Sequence, residues 1–117
     1  MDQSDETWLA NNEVFGPALA TKFLESDDPA VYLERAIEFA NNELYGTLGA
    51  NIVIHPKTIQ QIGVKRFESL LLRLRYGTIA INAWTGLGFL LSPCPWGGFP
   101  GADLNRPQSG IGTVHNS

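Results

Sequence analysis

Cysteine is nearly missing from this sequence: Cys94 stands alone among 117 residues. A lone thiol cannot close an internal disulfide, and it fits the reducing cytoplasm, where such bridges are rare. Histidine is scarce as well, with only His55 and His115. One cysteine and two distant histidines give no metal-ligand spacing, so no metal site is expected. Long apolar runs are missing too. Leu70-Leu71-Leu72 and Phe89-Leu90-Leu91 are far too short to cross a bilayer, and no membrane is expected. The opening Met1-Asp2-Gln3-Ser4-Asp5-Glu6 is acidic with no apolar run behind it, unlike a secretory signal. Nor is there a basic excess. The 8 Lys and Arg against 12 Asp and Glu leave a formal net charge of -4. That balance gives no reason to expect nucleic acid or an anionic surface as partner. No repeat and no low-complexity block breaks the chain.

What remains has the make-up of one ordinary folded domain, 44% apolar and 17% charged. Residues 1–12 are polar, with Trp8 and Leu9 as anchors. Residues 13–84 form the core region, and residues 85–117 a tail holding seven of the twelve glycines and four of the seven prolines. Regular structure is expected to be sparse in that tail.

Within the core, Phe15-Gly16-Pro17 reads as a turn leading into a strand, within residues 14–24. Asp27-Asp28-Pro29 is a helix start, because an aspartate can accept from the free N–H groups and proline suits the first helical position. Leu33, Ala36, Ile37, Ala40 and Leu44 recur at spacings of three and four, which puts them on one helical face. Gly46 suits a left-handed stop. A short β-branched run, residues 50–55, ends at Pro56. A second helix is expected from Thr58 to Arg75, with Ile59, Ile62, Phe67, Leu70, Leu71 and Leu74 as its stripe and Gly77 as its stop. Lys65, Arg66, Arg73 and Arg75 read as its solvated face, the arginines complementing the dipole at its C-terminus. Residues 78–84 are almost unbroken apolar sequence, as in a strand covered on both faces. The order strand, helix, strand, helix, strand predicts an α/β fold: a three-layer βαβαβ parallel sheet followed by the Gly/Pro-rich tail.

Few residues here carry chemistry. Cys94 lies between Pro93 and Pro95 with no neighbouring base, whereas a reactive thiol needs a helix N-terminus, a histidine or another cation to lower its pKa. It reads as structural, as do His55 before Pro56 and His115 in the tail. Gly86-Leu87-Gly88 begins like a dinucleotide fingerprint but lacks the third glycine and the following helix.

Five short strings nevertheless stand in a telling order: Glu13-Val14-Phe15-Gly16-Pro17; Ala40-Asn41-Asn42-Glu43-Leu44-Tyr45-Gly46-Thr47-Leu48; Gly77 to Asn82; Pro95-Trp96-Gly97-Gly98; and Ser109 to Gly112. In this order and spacing they resemble the C-terminal part of the aldehyde dehydrogenase catalytic domain, over almost the whole chain. The resemblance implies that Glu13 and Phe15 face the nicotinamide side of NAD or NADP, the carboxylate accepting from ribose hydroxyls. It places Asn82 near the substrate pocket, and Trp96 with residues 85–94 along the aldehyde entrance. Trp96 departs from the family's usual phenylalanine, and an insertion opens at Phe99-Pro100-Gly101-Ala102-Asp103. The nucleophilic cysteine, the general-base glutamate and the dinucleotide-binding domain of the family all lie N-terminal to the first string, and only twelve residues precede Glu13 here. The chain is therefore expected to lack catalytic activity and firmly bound cofactor on its own. It would act as a truncated domain, a protein-interaction module or a subunit fragment. The alternatives are a small NAD(P)-dependent aldehyde oxidoreductase using Cys94 and a nucleotide-binding module using Glu13 and Phe15. A homodimer, or pairing with another aldehyde dehydrogenase chain, is expected to cover the exposed sheet.

Overall fold

The computed structural model describes residues 3–101, 103, 105, 107–110 and 112–114. Its elements are, in chain order, α1 (Gln3–Asn11), α2 (Pro29–Glu43), β1 (Gly49–Ile52), α3 (Pro56–Ile62), α4 (Val64–Leu71), β2 (Thr78–Ile81), α5 (Gly86–Leu90), β3 (Trp96–Gly97) and β4 (Thr113–Val114). They fall into two compact units, each built from separate stretches of chain. One comprises Met1–Tyr45 and Gln61–Leu74, the other Gly46–Gln60 and Arg75–Ser117.

The first unit holds the apolar core. Helix α2 starts as its sequence dictates: the Asp28 side chain accepts from the N–H groups of Ala30 at 2.8 Å and Val31 at 3.0 Å, with Pro29 at the first helical position. Those two bonds hold the Asp28 carboxyl below its ordinary value, Val31 contributing most. Ala30, Leu33 and Ile37 are buried on one face of α2, and they share the core with Ile62, Phe67, Leu70 and Leu74. Each large apolar side chain so buried contributes about 1.5–3 kcal/mol. Along the rim of this core Arg73 pairs with Glu34 at 2.5 Å and Glu38 at 3.2 Å, and the Asn41 amide donates to the Arg73 carbonyl at 2.7 Å. The arginine's hydrogen bond holds the Glu34 carboxyl below its usual range. The Tyr45 N–H donates to the Ala10 carbonyl at 2.9 Å, which ties the end of the α2 segment to α1.

The expected single helix from Thr58 to Arg75 is in fact two. Gly63 breaks it with φ of 91°, a left-handed conformation that a side chain tolerates poorly. Helix α4 then ends at Leu71, so Arg73 and Arg75 lie beyond it and do not complement its dipole; its last turn has no basic residue. Arg73 serves α2 instead. The strand expected within residues 14–24 does not form either. Gly16, Pro17, Ala18, Ala20 and Lys22 are weak strand formers, and proline lacks a donor. The segment is irregular, and Phe15, Leu19 and Phe23 stand 94%, 87% and 92% exposed.

In the second unit β1 and β2 pair in parallel, Gly49 opposite Thr78 through Ile52 opposite Ile81. A parallel pair needs a crossover of a dozen or more residues, which the chain from Val53 to Gly77 supplies. The fold is therefore mixed α/β with a small two-stranded parallel sheet and several helices. It is not a three-layer sheet. Both strands are shorter than their apolar runs, and no residue of β2 reaches full burial, so the covering of both faces expected for residues 78–84 is not met. The tail is sparse in regular structure, as its glycines and prolines imply, yet Gly86–Leu90 forms a short helix where none was expected. Strands β3 and β4 pair antiparallel, Trp96 opposite Val114.

Candidate functional site

Parts of four of the five strings lie in the second unit, where Thr47 of the second string bonds to the third, to the last and to the residue after the fourth. The Thr47 carbonyl accepts from the Gly77 N–H at 2.8 Å and the Phe99 N–H at 3.2 Å, and its hydroxyl also accepts from Phe99 at 3.3 Å. The Thr47 N–H donates to the Ser109 hydroxyl at 2.7 Å. One residue thus gathers the entry to β1, the entry to β2, the segment after Trp96-Gly97-Gly98 and the start of the last string. Glycine is required at this crossing. A Cβ on Gly77 would lie 1.7 Å from the Gly97 carbonyl oxygen, and one on Gly98 would meet Ser109 at 3.0 Å and Gly110 at 3.1 Å. Gly77, read from sequence as a helix stop, is instead a point of close backbone approach. Gly46, at φ 99°, has the left-handed conformation expected of it, though it lies beyond the Leu44 C-cap. Beside Gly77, burial pushes the Tyr76 phenol up.

Asn82 closes the far end of the sheet. Its N–H donates to the Ile52 carbonyl at 2.8 Å, its Oδ1 accepts from the Ile54 N–H at 2.8 Å, and its Nδ2 donates to the Ile54 carbonyl at 2.8 Å. The amide side chain thus imitates one more step of the parallel ladder after the backbone has turned away, at φ 53°. Asparagine suits the position because it visits the left-handed region more readily than most residues and carries both a donor and an acceptor. Asn51 extends the arrangement: its Oδ1 accepts from the Thr85 N–H at 2.9 Å and so fixes the start of the loop into α5.

Trp96 is half-buried. Its ring meets Phe89 of α5 edge-on, with centroids 5.8 Å apart, a favourable aromatic geometry. Cys94 is half-buried in a turn, its N–H donating to the Leu91 carbonyl at 2.9 Å. His55 caps α3: its Nδ1 accepts from the Lys57 N–H at 3.1 Å and its carbonyl from Thr58 at 2.9 Å. His115 and Ile111 lie outside the described residues. Among the described residues no group of three or more His, Cys, Asp or Glu side chains could hold a metal, and no helix is long and apolar enough to cross a membrane.

Glu13 and Phe15 belong to the first unit, on the exposed irregular segment, while Asn82 and Trp96 belong to the second. Within the second unit Asn82 and Trp96 have separate partners, Ile54 and Phe89. Sequence reasoning missed Thr47, whose role is visible only once strings far apart in the chain come together; a glycine directly before a strand, Gly77, was the one local signal. Comparison with protein-family models, with curated proteins and with solved structures returns no match.

Proposed function

We propose that this chain is an aldehyde dehydrogenase-like module that does not catalyse alone: Glu13 and Phe15 are its cofactor-side residues, Asn82 and Trp96 its substrate-side residues, and the nucleophile and base come from other polypeptide. The observation that supports this reading is that Thr47, in the second string, is hydrogen-bonded to Gly77 of the third, to Ser109 of the last and to Phe99, the residue after the fourth. The exposed ring of Phe15 is consistent with a surface waiting for cofactor or for neighbouring chain. Cys94 is not proposed as a substitute nucleophile, because it stands between Pro93 and Pro95 with no base beside it in the sequence, and a reactive thiol needs one. The test is a turnover assay of the 117-residue chain with NAD and NADP over a panel of aldehydes. No aldehyde-dependent reduction is expected. Turnover that disappears in Cys94→Ser would overturn the reading and establish a small self-sufficient enzyme.

A further inference from the structure

Residues 19–24 have no backbone hydrogen bond among the described residues; within residues 13–24 the only one runs from the Ala18 N–H to the Gly16 carbonyl at 2.8 Å. Its backbone is left to water, and the segment bears two exposed phenylalanines and an exposed leucine, Phe15, Phe23 and Leu19. Its C-terminal end is already held in place: the Lys22 ammonium sits 5.8 Å from the centre of the Phe39 ring, and the Arg35 guanidinium donates to the Glu25 carbonyl. Were the segment extended as a strand, with Lys22 turned to α2, period-two alternation would turn Thr21 and Phe23 away from it.

The second unit has the matching deficiency. Thr78 and Asn82 donate to Leu48 and Ile52 of the β1 segment, so by alternation Ile79 and Ile81 present their N–H and C=O groups to the opposite edge. No hydrogen bond to Ile79 or Ile81 from that edge is found among the described residues. Two strands alone are marginal, and three with an apolar face are the usual minimum for stability. An open edge recruits another strand.

We infer that the segment at residues 18–24 of one copy adds as a third strand to the outer edge of β2 in a second copy, and reciprocally, giving a two-fold dimer. Among the described residues neither the segment nor the edge has a strand partner, and reciprocal exchange gives both one with a single symmetry operation. Charge permits it. The segment's one charged residue is Lys22, and no residue from Tyr76 to Gly101 is charged, so the surfaces meet without repulsion. Phe23 of each copy would bury about 150–250 Å², and Leu19, 87% exposed, lies on the same alternate face of the strand.

Sedimentation velocity of the full chain at micromolar concentration tests this. The expected species has twice the 12.8 kDa chain mass. Ala20→Pro and Thr21→Pro each remove one N–H, and neighbouring strand residues present theirs to opposite edges, so one of the two variants must weaken association at least tenfold. Phe23→Lys, at an exposed position, should weaken it as well while circular dichroism stays unchanged. A wild-type monomer at that concentration, or a dimer indifferent to both prolines and to Phe23→Lys, overturns the proposal.

Discussion

Asn82 shows how much one side chain can do at the end of a strand. Its amide makes two hydrogen bonds to Ile54 and its backbone sits at φ 53°. The two contributions separate by mutation. Asn82→Gly keeps the backbone conformation but loses the amide bonds, at a cost of about 1 kcal/mol at this exposed position. Asn82→Ala loses the bonds and adds left-handed strain, for a total of about 2–3 kcal/mol. Urea unfolding of both variants should rank alanine below glycine; equal midpoints would mean that the backbone there is unstrained. From sequence the position of Asn82, directly after an apolar strand, was legible. Its ladder role was not, because that depends on Ile54, which only pairing brings alongside. Thr47 was illegible for the same reason: its partners Gly77, Phe99 and Ser109 lie far along the chain.

Among the elements, α2 was the most legible, because its start is specified locally by Asp28 and Pro29 and its buried face by the spacing of Leu33 and Ile37. The cap also makes α2 sensitive to acid. The Asp28 carboxyl is held below its ordinary value of 3.8 by bonds from Val31 and Ala30. A depressed carboxylate contributes stability that is fully present above its unfolded value and is lost as pH falls through the folded one. Asp28→Asn keeps a capping oxygen but cannot titrate. Thermal unfolding at neutral pH and below pH 3.8 should therefore show a smaller acid-induced drop for Asp28→Asn than for wild type. Identical drops would leave Glu34, lowered by Arg73, as the group responsible. The break at Gly63 was legible in principle. Ile62 and Phe67 stand five apart, a step that fits neither three nor four, and the glycine lies inside the slip. The absent strand within residues 14–24 was legible only in part: Gly16, Pro17, Ala18, Ala20 and Lys22 are weak strand formers, but that no strand pairs with the segment among the described residues is seen only in the fold.

At the scale of the whole molecule, burial is unevenly shared. All the buried apolar residues found among the described residues, from Ala30 to Leu74, belong to the first unit. Local opening free energies follow buried apolar contact. Amide hydrogen exchange should accordingly be slowest in α2 and α4 and faster in β1 and β2 at low protein concentration. The reverse order would mean that the sheet, not the helix pair, is the more stable part. Neither unit is a continuous stretch: the chain passes between them after Tyr45, after Gln60 and after Leu74. To bring α2 to α4 the chain must close the loop Gly46–Gln60, which contains β1. To bring β1 to β2 it must close the loop through Gln61–Leu74, which contains α4. Whichever unit orders first shortens the loop the other has still to close, and closure cost grows with loop length. The chain is braided in this sense: neither unit can be excised by cutting at one point, and a core substitution in either is felt as a longer search by the other.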